Sequence, residues 1–234
     1  MYRNLDADKT LATIELLERR IGERFPDAGL HRVCAELRTI ATESKARTEW
    51  IARPNRLLRG AVVLVLTLLL AVLGYSLSLL EFSLTDITAT ELVQALDAVM
   101  NEIVLIGAAV FFLVSGERRI KRARALGALH ELRSIAHVID MHQLTKDPGR
   151  LRGDRTSTPS SPVRVMTAFE LTRYLDYCSE MLSLTGKLAA LYAQGLNDDV
   201  VLGAVNEVET LTTALSRKIW QKIVILERLQ GEDG

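Results

Sequence analysis

Apolar residues are spread along this chain in two patterns. Over most of it they return every third or fourth position among charged neighbours, the mark of amphipathic helices. From Gly60 to Leu80 they instead form a run of about 21 residues without a charge, dominated by Leu and Val. At 1.5 Å per residue that run is about 31 Å of helix, one hydrocarbon thickness. Its aliphatics sum to roughly −6 kcal/mol on an insertion scale, so the stretch predicts a transmembrane helix.

Upstream, Leu11, Ile14, Leu17 and Ile21 predict a helix over 8–25 that ends at the PDAG turn, Pro26 to Gly29. Leu30, Val33, Leu37, Ile40 and Ser44 predict a second helix running to about Ile51. Trp50 suits the headgroup layer, and Pro54 breaks the chain.

Downstream, the second apolar segment, Ile103 to Val114, is only about 12 residues, roughly 18 Å, which is too short to cross alone. Depth must come from earlier residues, in a helix that the Thr88 and Glu91 capping-box pair would start. At 100° per residue Glu91, Gln94, Asp97, Ala98, Asn101 and Glu102 share one arc, opposite Leu92, Val93, Leu96, Val99, Met100 and Ile103. Nine large apolar residues offer about −4 kcal/mol, which exceeds the cost of Glu102 near one end of the span. Small residues at Gly74, Ser78, Gly107, Ala108 and Ala109 predict a tight antiparallel hairpin.

Beyond Gly116 the stripe Ala125, Ala128, Leu129, Leu132, Ile135, Ala136 and Ile139 carries the helix on to KDPG at Lys146 to Gly149. RLRGDRTSTPSSP follows as a linker, and its Arg152–Gly153–Asp154 tripeptide is a chance match. Thr167 as N-cap, Glu170 three residues on and Met166 stapling against Leu171 open another helix. That helix has two seams: Leu171, Leu175, Cys178, Leu182, Thr185, Ala189, Tyr192 and Leu196, and beside them Tyr174, Tyr177, Met181, Leu184, Leu188 and Leu191. Two seams need two neighbours. One is the last helix, Val200 to Gln230, capped by Asn197 to Asp199, with a seam at Val201, Val205, Val208, Thr212, Leu215, Ile219, Lys222, Leu226 and Leu229. The other is expected to be the Gly116 to Leu144 helix.

Charge changes the picture by giving it a direction. The totals balance, 29 basic against 29 acidic residues, but no Lys or Arg lies between Arg59 and Arg118, whereas Glu81, Asp86, Glu91, Asp97 and Glu102 do. Arg53, Arg56 and Arg59 border the window on one side and Arg118, Arg119, Lys121, Arg122 and Arg124 on the other. Basic borders stay cytoplasmic, so both termini are expected inside a plasma membrane, with an acidic connector outside. The excess of Arg over Lys hints at a GC-rich bacterial genome, in which case the membrane is a bacterial inner membrane, and the N-terminus has no signal-peptide pattern. The expected organisation is 1–53 as N-terminal amphipathic helices; 54–118 as the hairpin, with spans near 58–80 and 98–117 and a connector at 81–97; 119–146 as a continuing helix; 147–166 as a linker; and 167–234 as a C-terminal helical hairpin.

Little of the sequence points to chemistry. Cys34 and Cys178 have no thiol or His at zinc-ligand spacing and read as reduced, partly buried thiols. His130 and His137 share a helix face with Asp140, one turn after His137, a weak metal or catalytic candidate that lacks a third ligand. Gln94, Asp97, Asn101 and Glu102 form a polar face at membrane depth, where such groups turn to protein or water. In an oligomer they would make a cation-attracting vestibule. The basic borders suit anionic lipid headgroups rather than nucleic acid. The sequence has no phosphate-binding glycine loop, GxSxG, HExxH or paired CxxC, and no cofactor is expected.

The layout, two spans flanked by cytosolic helices, is similar to that of two-span bacterial effector proteins such as the SLATT group, and no residue takes a role from that likeness. The sequence predicts an all-α integral membrane protein, with a two-helix transmembrane hairpin and a cytosolic bundle ending in a coiled-coil-like antiparallel hairpin. Its expected function is non-enzymatic, a membrane-anchored scaffold that self-associates or docks a cytosolic protein. The alternatives are a small homo-oligomeric cation pore lined near Glu102 and gated by the cytosolic bundle and, third, a membrane-bound metal- or His-dependent enzyme.

Overall fold

The computed structural model describes residues 4–79, 89–148 and 166–232. The described residues form helices, with no strand among them: α1 (Ala7–Arg24), α2 (Gly29–Ala52), α3 (Arg56–Leu79), α4 (Ala89–Leu144), α5 (Ala168–Gly195) and α6 (Asp199–Glu232). Part of the expected acidic connector, Thr88 of its capping box, and the linker with its RGD tripeptide lie outside the described residues.

Contacts divide the chain into two units, Met1–Ala52 with Arg122–Gly234, and Arg53–Lys121. Each helix of the first unit starts or stops for a local reason. Asp6 caps α1 by accepting from the amides of Asp8 and Lys9 at 3.0 and 3.3 Å. At the other end Phe25 N–H closes on the Ile21 carbonyl before Pro26. The capping box of α5 forms, with Thr167 N–H donating to Glu170 Oε2 at 2.8 Å and Glu170 N–H to Thr167 Oγ1 at 3.2 Å. Met166 packs against the same core as Leu171. Asp198 caps α6 through the amides of Val200 and Val201.

The stripes read from the sequence are the ones buried. Ile14, Leu17 and Ile21 of α1, Leu30 to Ser44 at the predicted positions of α2, the Ala125 to Ile139 stripe of α4 and both seams of α5 are closed to solvent. α6 follows its seam except that Ile223 is buried where Lys222 is only half so, and that Leu229 at its end is half-buried. α5 is the centre, since it packs against α6 on one side and α1 and α2 on the other. Gly186 lets α6 come close, because a Cβ there would stand 3.1 Å from Thr212 Oγ1.

The second neighbour of α5 differs from the expectation. Its second seam is covered chiefly by α1 and α2: Phe25 meets Tyr174 and Tyr177 edge to face, with ring centres 5.6 and 6.2 Å apart, and Arg20 reaches Glu180. The C-terminal part of α4 stands further off. It joins α2 through Arg47 and Glu131 at 2.6 Å, and α6 through Arg133 and Glu207 at 3.2 Å. α1 and α2 each carry a single apolar stripe that has to be covered, and both pack against α5.

In the second unit α3 and the first part of α4 are long and apolar enough to cross a membrane by length and composition, and neither apolar window is buried. Half-buried positions recur at helical spacing on each, Leu58, Val62, Val65 and Leu69 on α3 and Val99, Glu102, Ile106 and Val110 on α4, one covered stripe per helix. Of the small residues named from the sequence, only Ala109 is half-buried. A Cβ on Gly74 or Gly107 would meet nothing within 4 Å, and Ser78 and Ala108 are exposed. Among the described residues the two helices are linked at the Asn55 and Glu117 end, and the close approach expected at the small residues is not seen at Gly74 or Gly107.

Candidate functional site

The start of α3 is built around Asn55, which the sequence reading passed over. Its side chain caps the helix by accepting from Leu58 N–H at 3.2 Å, and its own N–H donates to Glu117 Oε1 of α4 at 3.2 Å. Glu117 also pairs with Lys121 at 2.9 Å, and Lys121 donates to the Arg53 carbonyl at 2.9 Å. This clamp ties the two helices of the second unit at one end. An Asn directly after Pro54 and before an uncharged run was the available signal.

The basic borders therefore divide. Arg53, Arg56, Arg59, Arg118 and Arg119 are exposed and suit an anionic surface. Lys121, Arg122 and Arg124 are engaged by the protein itself. Arg122 donates Nε and Nη2 to Asp198 Oδ2 at 2.9 and 2.7 Å. The Arg124 guanidinium lies 4.0 Å from the centre of the Trp50 ring, so Trp50 is a cation–π partner within its own unit.

The polar face of α4 also divides. Gln94, Asp97 and Asn101 are exposed, whereas Glu102 is half-buried in the covered stripe with its Oε1 shielded and without a hydrogen-bond partner. A shielded oxygen with no donor in a helix pair is costly unless water, a proton or another chain supplies one.

His130 and His137 are exposed. Asp140 accepts from Gln143 Nε2 at 2.6 Å, and Gln143 in turn receives Lys222 Nζ on its carbonyl and its Oε1 at 2.7 and 2.6 Å. Asp140 therefore belongs to the fastening of α4 to α6, in which burial holds the Lys222 ammonium below its usual range although Asp147 and Asp140 oppose the shift. Among the described residues no three His, Cys, Asp or Glu side chains are grouped to hold a metal ion. Two surface cavities, of about 500 and 400 Å³, are lined from α1 and α5 without His130 or His137.

His142, at the apolar edge of the same helix, is the histidine with packed surroundings. Its ring covers Gly29, where a Cβ would stand 2.6 Å from Cε1, and its Nδ1 is 3.5 Å from the Tyr174 hydroxyl. Burial, then Lys146 and Arg32, hold its pKa below the ordinary histidine value.

Comparison with protein families, with characterised proteins and with solved structures finds no match to this chain.

Proposed function

We propose that this chain is an integral membrane protein with two crossings, α3 and the first part of α4, carrying a helical bundle on the side of its arginine-rich borders and acting as a non-enzymatic anchor or scaffold. The observation that carries the reading is the contrast between the units. The bundle closes its own seams around α5, whereas Val63, Leu64, Leu68, Phe111 and Phe112 of the apolar helices are 63, 70, 65, 71 and 79% exposed. Soluble monomers rarely present so much contiguous apolar surface, and lipid is the solvent that covers it. The arginines exposed at both borders would lie among anionic headgroups.

In this reading the bundle docks a cytosolic protein or a second copy. Because both seams of α5 are filled from within the chain, the contact would use outer residues such as Trp220 and Ile225, which are 58 and 46% exposed. Light scattering of the detergent-solubilised chain tests self-association. A particle of twice the chain mass or more supports it, and a strict monomer leaves only a foreign partner.

A second reading, a homo-oligomeric cation pore, is favoured by one observation, the unpaired Oε1 of Glu102 next to the exposed Asn101. Bilayer conductance that falls in Glu102→Gln supports it; no conductance from the wild type removes it.

A further inference from the structure

The 400 Å³ cavity is lined by Arg20, Glu23 and Arg24 of α1 and Arg173 and Tyr177 of α5. Arg20 donates to both oxygens of Glu180 at 3.0 and 3.4 Å, and Arg173 donates through Nη1 to Asp176 at 2.9 Å. Their guanidinium carbons stand 5.3 and 5.4 Å from the centre of the Tyr177 ring. Each is held by a carboxylate behind it and an aromatic face beside it, which fixes a side chain that would otherwise sample many rotamers.

Both retain N–H donors that these contacts do not use, since a guanidinium carries five. Arg24 has no carboxylate within salt-bridge distance among the described residues, and it lies over Phe169, 5.4 Å from the ring centre, a side chain left 59% exposed. The lining thus presents three guanidiniums and one carboxylate, Glu23, and is net cationic. Its volume is that of a small-molecule site.

We propose that this cavity binds the phosphate group of a small ligand, with Arg24 and Arg173 as its principal donors. Planar forks of N–H donors match phosphate oxygens two at a time, and a dianion gains more than chloride does from two braced guanidiniums with a third beside them. The site lies wholly within the bundle and stands whether or not α3 and α4 cross a membrane.

Calorimetric titration of the full-length, detergent-solubilised chain with pyrophosphate tests it, and short-chain phosphatidic acid as a second probe separates a soluble from a lipid source. Saturable binding of at least one probe with a Kd below about 1 mM is expected. It should weaken at least tenfold in Arg24→Gln and in Arg173→Gln and stay unchanged in Arg38→Gln, whose guanidinium pairs with Glu18 outside the cavity. Should Arg173→Gln unfold, Arg24→Gln, which breaks no ion pair, decides alone. Saturable binding of neither probe, or binding that Arg38→Gln weakens as much as Arg24→Gln, overturns the proposal.

Discussion

Asp198 holds two helices at once: it caps the first turn of α6 through the amides of Val200 and Val201, and it accepts two hydrogen bonds from the Arg122 guanidinium of α4. Its side chain is 4% exposed and that of Arg122 is 40% exposed, so the pair is open to water on the guanidinium side, and Asp198, which supplies the cap as well, is the side chain whose removal costs more. Asp198→Ala removes a cap and leaves Arg122 unpaired and is expected to lower stability by about 2 to 4 kcal/mol, against about 1 to 2 for Arg122→Ala. Denaturant unfolding of both variants measures the order; equal, negligible losses would show the pair to be ornamental. The Arg122 hydrogen bonds hold the Asp198 pKa below its ordinary 3.8, so this contribution is present above that pH and is lost as the medium is acidified past it.

His142 packed over Gly29 makes a second pH dependence, of the same sign for a different reason. Burial and the cations Lys146 and Arg32 favour the neutral imidazole in the folded chain, so folding takes up no proton there when the unfolded chain would. Stability from this site is complete above the ordinary pKa of 6.5 and declines as pH falls below it. His142→Gln is expected to flatten the stability curve between about pH 7 and 5 relative to the wild type. A curve of unchanged slope would remove His142 as its source. Gly29→Ala should cost roughly 1 to 3 kcal/mol through the clash with the ring, and His142→Ala should recover most of that loss.

Trp50 and Arg124 are expected to couple by about 0.5 to 1 kcal/mol in a double-mutant cycle of Trp50→Leu and Arg124→Gln. Zero coupling in unfolding measurements would mean that the stacking seen at 4.0 Å adds nothing to stability.

Cys34 and Cys178 are buried, and burial pushes both thiols up to about 12. With the thiolate suppressed and the sulfur enclosed, neither should react with a maleimide in the folded chain within minutes at neutral pH. Both should react fully in denaturant. Prompt labelling of the native protein would contradict the packing of α2 and α5.

The helical seams were legible because burial along a helix repeats with the helical period, and Ile14 to Ile21, Ala125 to Ile139 and both faces of α5 obey it. The partner of each seam was not legible. Which helix covers Tyr174 and Tyr177 depends on where a turn sends Phe25, and periodicity carries no information about that. Charges misled in the same way: Arg122 and Arg124 look like headgroup ligands until Asp198 and Trp50, 76 and 74 positions away in sequence, prove to be beside them. Gly74 and Gly107 suggested close packing, yet small size permits an approach without causing one. Glu102 and Asn101 stood together on a helical wheel, and a rotation of 100° is enough to leave one shielded and the other exposed.

The central claim is the double crossing of a membrane, and the silent native thiols provide the background against which to measure it. A single cysteine introduced as Gln94→Cys or as Arg119→Cys, both at exposed positions of α4, is treated with a membrane-impermeant maleimide in intact cells and again after lysis. Gln94→Cys is expected to label in intact cells and Arg119→Cys only after lysis, with the chain remaining in the carbonate-washed membrane fraction. Labelling of Arg119→Cys in intact cells, or recovery of the chain in the soluble fraction, would contradict it.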